Sequence, residues 1–128
     1  MLKFKNILSL PSYLKDRIDK VKILTPNITN IKKEDNSIII SGVTNRHNQT
    51  IIFLDKEITY NTYVKVDCDC ESFRFEFAYI INDSLINPRS YPKVPPKNKN
   101  PKGVKGVCKH IIALANLIDK KKTSILRK

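Results

Sequence analysis

Four side chains with metal-binding chemistry occur in two close pairs. Cys68 and Cys70 form a Cys-x-Cys pair, Cys108 and His110 form a Cys-x-His pair, and 37 residues separate the two pairs. All three cysteines of the chain belong to these pairs. Three thiolates and one imidazole are the ligand set of a closed tetrahedral zinc site. The spacing therefore predicts one structural Zn²⁺ ion held by these four residues.

Each pair has a spacing that lets both side chains reach one ion. Cys-x-Cys can do so where the backbone turns tightly at a strand end, and Cys-x-His can do so from the first turn of a helix. Lys109 inside the second pair and Lys65 just before the first are favourable, because three thiolates with Zn²⁺ leave the site one unit negative. The alternative is three buried free cysteines and a surface histidine. Two tight pairs with no cysteine left over favour the metal site.

Catalysis would need an open metal position or a nucleophile with a base. Four protein ligands close the metal shell. Asp67, Asp69 and Glu71 flank the first pair, and we expect them to be turn residues and hydrogen-bond partners of the ligands. His47 lies in a polar turn and is expected to be solvated. The pattern predicts a non-enzymatic protein without a small-molecule substrate.

The elements before the first pair read as strands. Alternation of apolar and polar residues predicts a hairpin made of strands Ser37–Gly42 and Thr50–Leu54, with a turn at Thr44–Asn48. A third strand, Thr59–Val66, runs directly into Cys68. The first metal pair is therefore expected at the end of a strand.

An aromatic series follows the first pair. Phe73, Phe75, Phe77 and Tyr79 alternate with other residues, which predicts a strand with its rings on one face. In the favoured interpretation this face belongs to the core, because a small domain without tryptophan needs the rings inside. The alternative is an exposed platform on which nucleic-acid bases stack.

The rest of the C-terminal half is a loop and a helix. Residues 82–107 hold five of the seven prolines, which predicts a stiff, extended, exposed and basic loop. Cys108–Lys120 has helical periodicity, and its predicted buried stripe is Ile111, Leu114 and Ile118.

The N-terminal part is expected to contain a second helix. Residues 2–10 form an apolar and basic lead, and Ser12 can cap a helix over Tyr13–Lys22. This helix either lies on the core or forms an arm that docks on a partner. The predicted fold is an α+β domain with a small antiparallel sheet, an N-terminal helix and a C-terminal helix. The predicted boundaries are an arm and helix at 1–27, the metal-binding domain at 28–120 and a basic tail at 121–128.

The charge is concentrated in the C-terminal part. The chain carries a net charge of +12, of which residues 84–128 contribute +11. Such a field favours a polyanion or an acidic protein surface as the partner. Neither a signal peptide nor a transmembrane stretch is recognisable, and an odd number of cysteines is typical of a reducing compartment. We expect a soluble protein that does not bind membranes.

The residues of both pairs resemble a known family. VDCDCESF at residues 66–73 and GVCKHIIA at residues 106–113 resemble the SWIM-type zinc finger, which has the pattern Cys-x-Cys, spacer, Cys-x-His. The spacer is longer than in the ordinary SWIM finger. With its aromatic run and proline-rich spacer, the chain is similar to the small SWIM proteins of tailed bacteriophages. The resemblance implies a zinc-bound ββα-like SWIM module whose ligands are Cys68, Cys70, Cys108 and His110.

Two functions follow as hypotheses. The first, implied by the phage resemblance, is a minor structural component of a virion in the head, neck or tail, which binds other virion proteins through its arms and basic loop. Localisation would then be the virion, and otherwise the cytoplasm. The alternative is a zinc finger protein that binds DNA or other nucleic acid without sequence specificity. In either case the expected partner surface is basic: Arg89, Lys93, Lys97, Lys99, Lys102, Lys105 and Lys109.

Overall fold

The protein is an α+β domain built on a four-stranded antiparallel sheet. A computed structural model describes residues 1–9, 24–93 and 106–127. The strands lie in the order β1-β2-β3-β4, and each pairs with the next in the chain. Their bounds are β1 Asn27–Glu34, β2 Ser37–Thr44, β3 His47–Phe53 and β4 Val64–Cys68.

The β2–β3 hairpin confirms the strongest prediction from the sequence. Both strands were expected, and they are joined at Asn45 and Arg46, which have φ angles of 51° and 66°. Two consecutive residues in the left-handed region make a two-residue turn whose twist suits a hairpin. The turn places His47 at the start of β3, in register with Thr44.

The third predicted strand is shorter than expected. β4 begins at Val64 rather than at Thr59, because the backbone N–H of Thr62 bonds to the carbonyl of Thr59 and closes a turn there. The prediction that this strand ends at the first metal pair is confirmed, since Cys68 is the last residue of β4.

The N-terminal lead is part of the fold and not a free arm. Helix α1, Phe4–Leu8, places Phe4 and Ile7 in the core. The backbone N–H of Val64 bonds to the carbonyl of Leu2, and the Leu2 N–H bonds to Ser84 Oγ at 2.6 Å. Residues 1–9 therefore close one edge of the structure. The predicted helix at 13–22 lies outside the described residues.

The aromatic series is helical, so the predicted strand is wrong. Residues 71–77 are helical, with a π-helical turn at Phe73–Phe77, and turns follow up to residue 81; together they form the helical segment 71–81. Phe73 and Phe77 are buried, whereas Phe75 and Tyr79 are exposed. Four-residue spacing puts each pair on its own side of a helix, which is why one period-two series divides into a buried and an exposed pair.

The first part of the proline-rich stretch is anchored to the sheet. Leu85 forms a parallel bridge with Val66, and the N–H of Ile86 bonds to the carbonyl of Val66. Ser84 and Leu85 are buried, so this part is not the fully exposed loop that was predicted. Residues 94–105 lie outside the described part of the chain.

Helix α2, Lys109–Arg127, covers one face of the sheet and completes the core. Its predicted stripe is confirmed: Ile111, Leu114 and Ile118 are fully buried. The helix continues through most of the segment predicted to be a tail, and Ile125 is buried there as well. In the described parts of the chain, no helix combines the length and apolar character needed to cross a bilayer.

Candidate metal centre

Strand β4 and two helix N-termini bring the four predicted ligands together. Cys68 ends β4, and Cys70 precedes the helical segment 71–81, where its carbonyl accepts a hydrogen bond from the Arg74 N–H at 3.3 Å. Cys108 stands in the same relation to α2, since its carbonyl accepts the Ile112 N–H at 3.2 Å. His110 lies in the first turn of that helix. Two ligands thus occupy N-terminal helix positions, where the helix dipole favours thiolate.

The four side chains could hold a metal ion. One ligand atom from each residue can be chosen so that all lie within 4.8 Å of one another, and every residue is buried. Cys68 Sγ lies 3.9 Å from His110 Nδ1. A zinc tetrahedron would place two sulfurs about 3.8 Å apart, and a sulfur and a nitrogen about 3.6 Å apart. The cluster is therefore small enough for all four donor atoms to reach one ion.

The three thiols differ in the direction in which their pKa values are shifted. Hydrogen bonds from Cys108 and Cys68 lower the pKa of the Cys70 thiol far below its usual range. Burial and the hydrogen bonds to its two neighbours raise the pKa of Cys108 well above the usual range. For Cys68, the hydrogen bond from Cys108 lowers the pKa, but the bond to Cys70 together with burial raises it to about 12. The hydrogen bonds among the three thiols thus favour the thiolate form of Cys70 over those of Cys68 and Cys108.

Two N–H groups point at the sulfurs from outside the ligand set. The backbone N–H of Phe73 donates to Cys70 Sγ at 3.4 Å. Gln49 Nε2 lies 3.7 Å from Cys68 Sγ and also donates to the carbonyl of His47 at 2.6 Å. Gln49 is buried and pairs in register with Cys68 across β3 and β4. Hydrogen bonds donated to a thiolate reduce the charge density on the sulfur and fix the orientation of the cysteine side chain.

Asp69, between the two cysteines, ties the hairpin turn to the metal site. Its Oδ1 lies 2.8 Å from His47 Nδ1, its Oδ2 accepts from Asn48 Nδ2 at 3.1 Å, and its N–H donates to the Asn48 carbonyl. Burial alone would raise the pKa of Asp69, but these hydrogen bonds outweigh it and the pKa is lowered. Asp69 was expected to be a hydrogen-bond partner of the ligands, but these bonds go to His47 and Asn48 of the hairpin.

The sequence suggested that His47 is a solvated turn residue; it is instead the first residue of β3, and its side chain is 39% exposed. Its ring packs against the ring of the ligand His110, with centroids 4.6 Å apart. The buried Nε2 of His110 has no hydrogen-bond partner among the described residues. The neighbours of the imidazole include the His47 ring and the sulfur of Cys68. Neither His47 nor Gln49 was recognised from the sequence. The signal that could have found them is the strand register, because the predicted hairpin brings the start of β3 beside the end of β4.

Tyr91 fastens the anchored part of the proline-rich stretch to the site. Its hydroxyl donates to Asp67 Oδ1 and lies 3.1 Å from the carbonyl of Cys68. Burial and the bond to Asp67 raise the pKa of Tyr91 above its usual range. The ring also packs edge-on against Phe73. The chain just after the helical segment is therefore held against the first metal pair.

The predicted partner surface is only partly described. Arg89 and Lys93 are exposed, and Lys109 is half-buried in the first turn of α2. Lys97, Lys99, Lys102 and Lys105 lie outside the described residues. The structure therefore places three of the seven predicted surface residues.

Comparison of the chain with protein-family models, with curated proteins and with solved structures finds no match in any of the three. The functional argument consequently depends on the chain's own residues.

Proposed function

We propose that Cys68, Cys70, Cys108 and His110 bind one structural zinc ion, and that the chain is a zinc-stapled interaction module. The observation that carries this proposal is the convergence of four buried donor atoms within 4.8 Å. All three cysteines are free thiols, so no disulfide accounts for their proximity. Ionised sulfurs packed this closely would repel one another, and a divalent cation relieves that repulsion.

The ligand set favours zinc in a structural role. Thiolate and imidazole donors in a tetrahedron suit Zn²⁺, whereas Mg²⁺ and Ca²⁺ prefer oxygen ligands. Four protein ligands leave no position for a substrate or a reactive water, which supports a non-enzymatic protein.

Metal analysis of protein purified without chelator tests the zinc assignment. We expect about one zinc per chain. Cys108→Ser should lower the zinc content strongly, whereas Thr50→Val, on the far face of β3, should not change it. Wild-type protein that contains no zinc and shows three titratable thiols would contradict the assignment.

The module is proposed to be SWIM-like. In support, β3, β4 and α2 occur in ββα order, with the segment 71–81 and two short helical turns between β4 and α2. Cys-x-Cys lies at the end of β4 and Cys-x-His at the start of α2. A zinc-loaded experimental structure in which these elements superpose on a SWIM finger would bear this out. A different connectivity around the ion would contradict it.

A role as a minor virion component of a tailed phage is supported by the resemblance of the sequence. Of the arms that motivated it in part, residues 1–9 pack into the fold and most of the C-terminal tail belongs to α2, while the predicted helix at 13–22 lies outside the described residues. Partner contacts would instead use exposed basic positions such as Arg89 and Lys93. The protein should co-purify in fixed stoichiometry with washed virions, and its absence from their proteome would exclude this role.

Nucleic-acid binding is the second candidate function, favoured by the +11 charge of residues 84–128. It predicts an affinity that falls steeply with salt concentration. Replacing Lys97, Lys99, Lys102 and Lys105 together with Glu should abolish binding if that stretch contacts phosphates. Unchanged binding would exclude that stretch as the contact surface.

A further inference from the structure

An exposed aromatic pair lies on the outer side of the helical segment 71–81. Phe75 is 48% exposed and Tyr79 is 38% exposed, although most large apolar side chains of the described residues are buried. They are four residues apart, so they share one side of the segment. Their partners in the series, Phe73 and Phe77, are already sufficient to fix the segment to the core.

Positive charge borders this pair. The Arg74 guanidinium lies 5.7 Å from the centroid of the Phe75 ring, and its NH1 donates to the carbonyl of Ser90 at 3.3 Å. Arg74 thereby links the ring to the turn Pro88–Ser90, whose Arg89 is exposed. Lys93, three residues after Ser90, is exposed as well.

This surface has the composition of a site for single-stranded nucleic acid. Aromatic rings exposed at a surface can stack on bases without regard to sequence, and flanking arginine and lysine side chains can follow the phosphates. Glu71 is exposed four residues before Phe75, and its charge is unfavourable for a phosphate on that side of the segment. A duplex offers its bases only at groove edges, so ring stacking favours a single strand.

We propose that Phe75 and Tyr79, with Arg74, Arg89 and Lys93, form a binding surface for single-stranded nucleic acid. This inference rests on the second proposed function and locates it on described residues outside the lysine-rich stretch. It does not involve the four metal ligands.

Fluorescence anisotropy with labelled oligothymidylate of about 15 nucleotides tests the surface, since single-strand sites commonly cover up to about 16 nucleotides. The full chain is used with zinc bound. Phe75→Ala/Tyr79→Ala should weaken binding by about tenfold or more and leave the salt dependence unchanged. Phe75→Leu/Tyr79→Leu, which keeps apolar area but removes the rings, should weaken it similarly. Arg89→Gln/Lys93→Gln should instead reduce the slope of log K against log salt by about 1.4.

Tyr63→Ala provides the matched control, because Tyr63 is also 48% exposed and lies beside Lys3 at another part of the surface. It should bind like wild type. Glu71→Lys should tighten binding. Wild-type affinity in the Phe75→Ala/Tyr79→Ala protein would overturn the inference while leaving nucleic-acid binding intact. No binding by the wild-type protein, or stronger binding to a duplex of equal length, would overturn it as well. Retained affinity in the leucine variant would show that ring stacking does not contribute, and would overturn the inference.

Discussion

At the scale of single residues, the metal centre depends on more than its four ligands. Cys68 receives a hydrogen bond from Gln49, Cys70 receives one from the Phe73 backbone, and His110 packs against His47. Such supporting contacts direct the ligands and adjust their basicity. Gln49 is the most informative of them, because it is buried and combines a contact to sulfur with one to the backbone.

Gln49→Met should lower the zinc affinity by about tenfold to a hundredfold, since it removes the N–H donor to Cys68 while roughly keeping the volume. Competition with a chromogenic chelator measures this change. In the Co²⁺-loaded protein the sulfur-to-metal charge-transfer bands should also shift, which a purely structural defect would not produce. Thr50→Val, the next residue along β3, serves as control. Equal affinities and spectra for Gln49→Met and wild type would show that this contact does not tune the site.

The unequal pKa values of the thiols predict the proton balance of zinc binding. In the metal-free protein the raised pKa values of Cys68 and Cys108 favour their protonated forms near pH 7.5, whereas the lowered pKa of Cys70 favours its thiolate. Zinc ligation requires all three thiolates, so about two protons should be released per ion. The bound state then carries fewer protons than the free state, and affinity should rise with pH and fall on acidification.

Calorimetric titration in buffers of different ionisation enthalpy measures the number of protons released. A set of three ordinary thiols, with pKa values near 8.5, would release nearly three protons at this pH. A value close to three would therefore show that the ionised Cys70 is absent from the free protein.

At the scale of elements, sequence patterns were sufficient to predict those elements whose form depends on residues close together in the chain. The β2–β3 hairpin was predictable because its strands alternate and its turn contains Asn45 and polar neighbours. The buried stripe of α2 follows directly from its periodicity. The convergence of Cys68, Cys70, Cys108 and His110 was predictable from their spacing and residue types.

Elements whose form depends on tertiary contacts were not predictable in this way. The series from Phe73 to Tyr79 fits a strand, but Phe73 and Phe77 also fit one side of a helix. What selects the helix is Cys70, whose carbonyl and sulfur accept the N–H groups of Arg74 and Phe73. Cysteine is not among the usual N-cap residues, so residue type does not indicate that a helix begins after Cys70. The roles of His47 and Gln49 likewise require the register of β3 against β4.

Gly42 shows how closely α2 lies on the sheet. A Cβ at this position would be 2.7 Å from the carbonyl oxygen of Asn27 and 2.8 Å from Leu114 Cδ1. Gly42→Ala should therefore reduce the free energy of unfolding by about 2 kcal/mol, because a backbone atom cannot move aside cheaply. Urea unfolding at saturating zinc measures this free energy of unfolding. Ser41→Ala, on the opposite face of β2, should cost less than about 1 kcal/mol. An unchanged free energy of unfolding in Gly42→Ala would mean that the helix is not packed this tightly.

At the scale of the whole molecule, the metal centre and the apolar core are adjacent but different sources of stability. Phe4, Ile40, Phe53 and Ile118 belong to a continuous core that includes both termini of the described structure. The four candidate ligands lie where β4, the helical segment and α2 meet, so a bound ion would fasten residues 71–93 to the rest. A chain of 128 residues can bury a core large enough to fold without a metal.

Removing zinc should consequently loosen one region and not unfold the protein. With a strong chelator, we expect the thermal midpoint to fall while the far-ultraviolet signal of the sheet and a cooperative transition persist, because zinc stabilises only by its binding free energy. Hydrogen exchange should accelerate first in residues 71–93 and in the first turn of α2, which contain or adjoin the ligands. Phe4→Ala is the contrasting variant. It should reduce the free energy of unfolding by about 3 to 5 kcal/mol. It should also weaken the protection of β2, β3 and β4 against hydrogen exchange even with zinc bound. A metal-free protein that is unfolded as a whole would show instead that the core cannot stand without the ion.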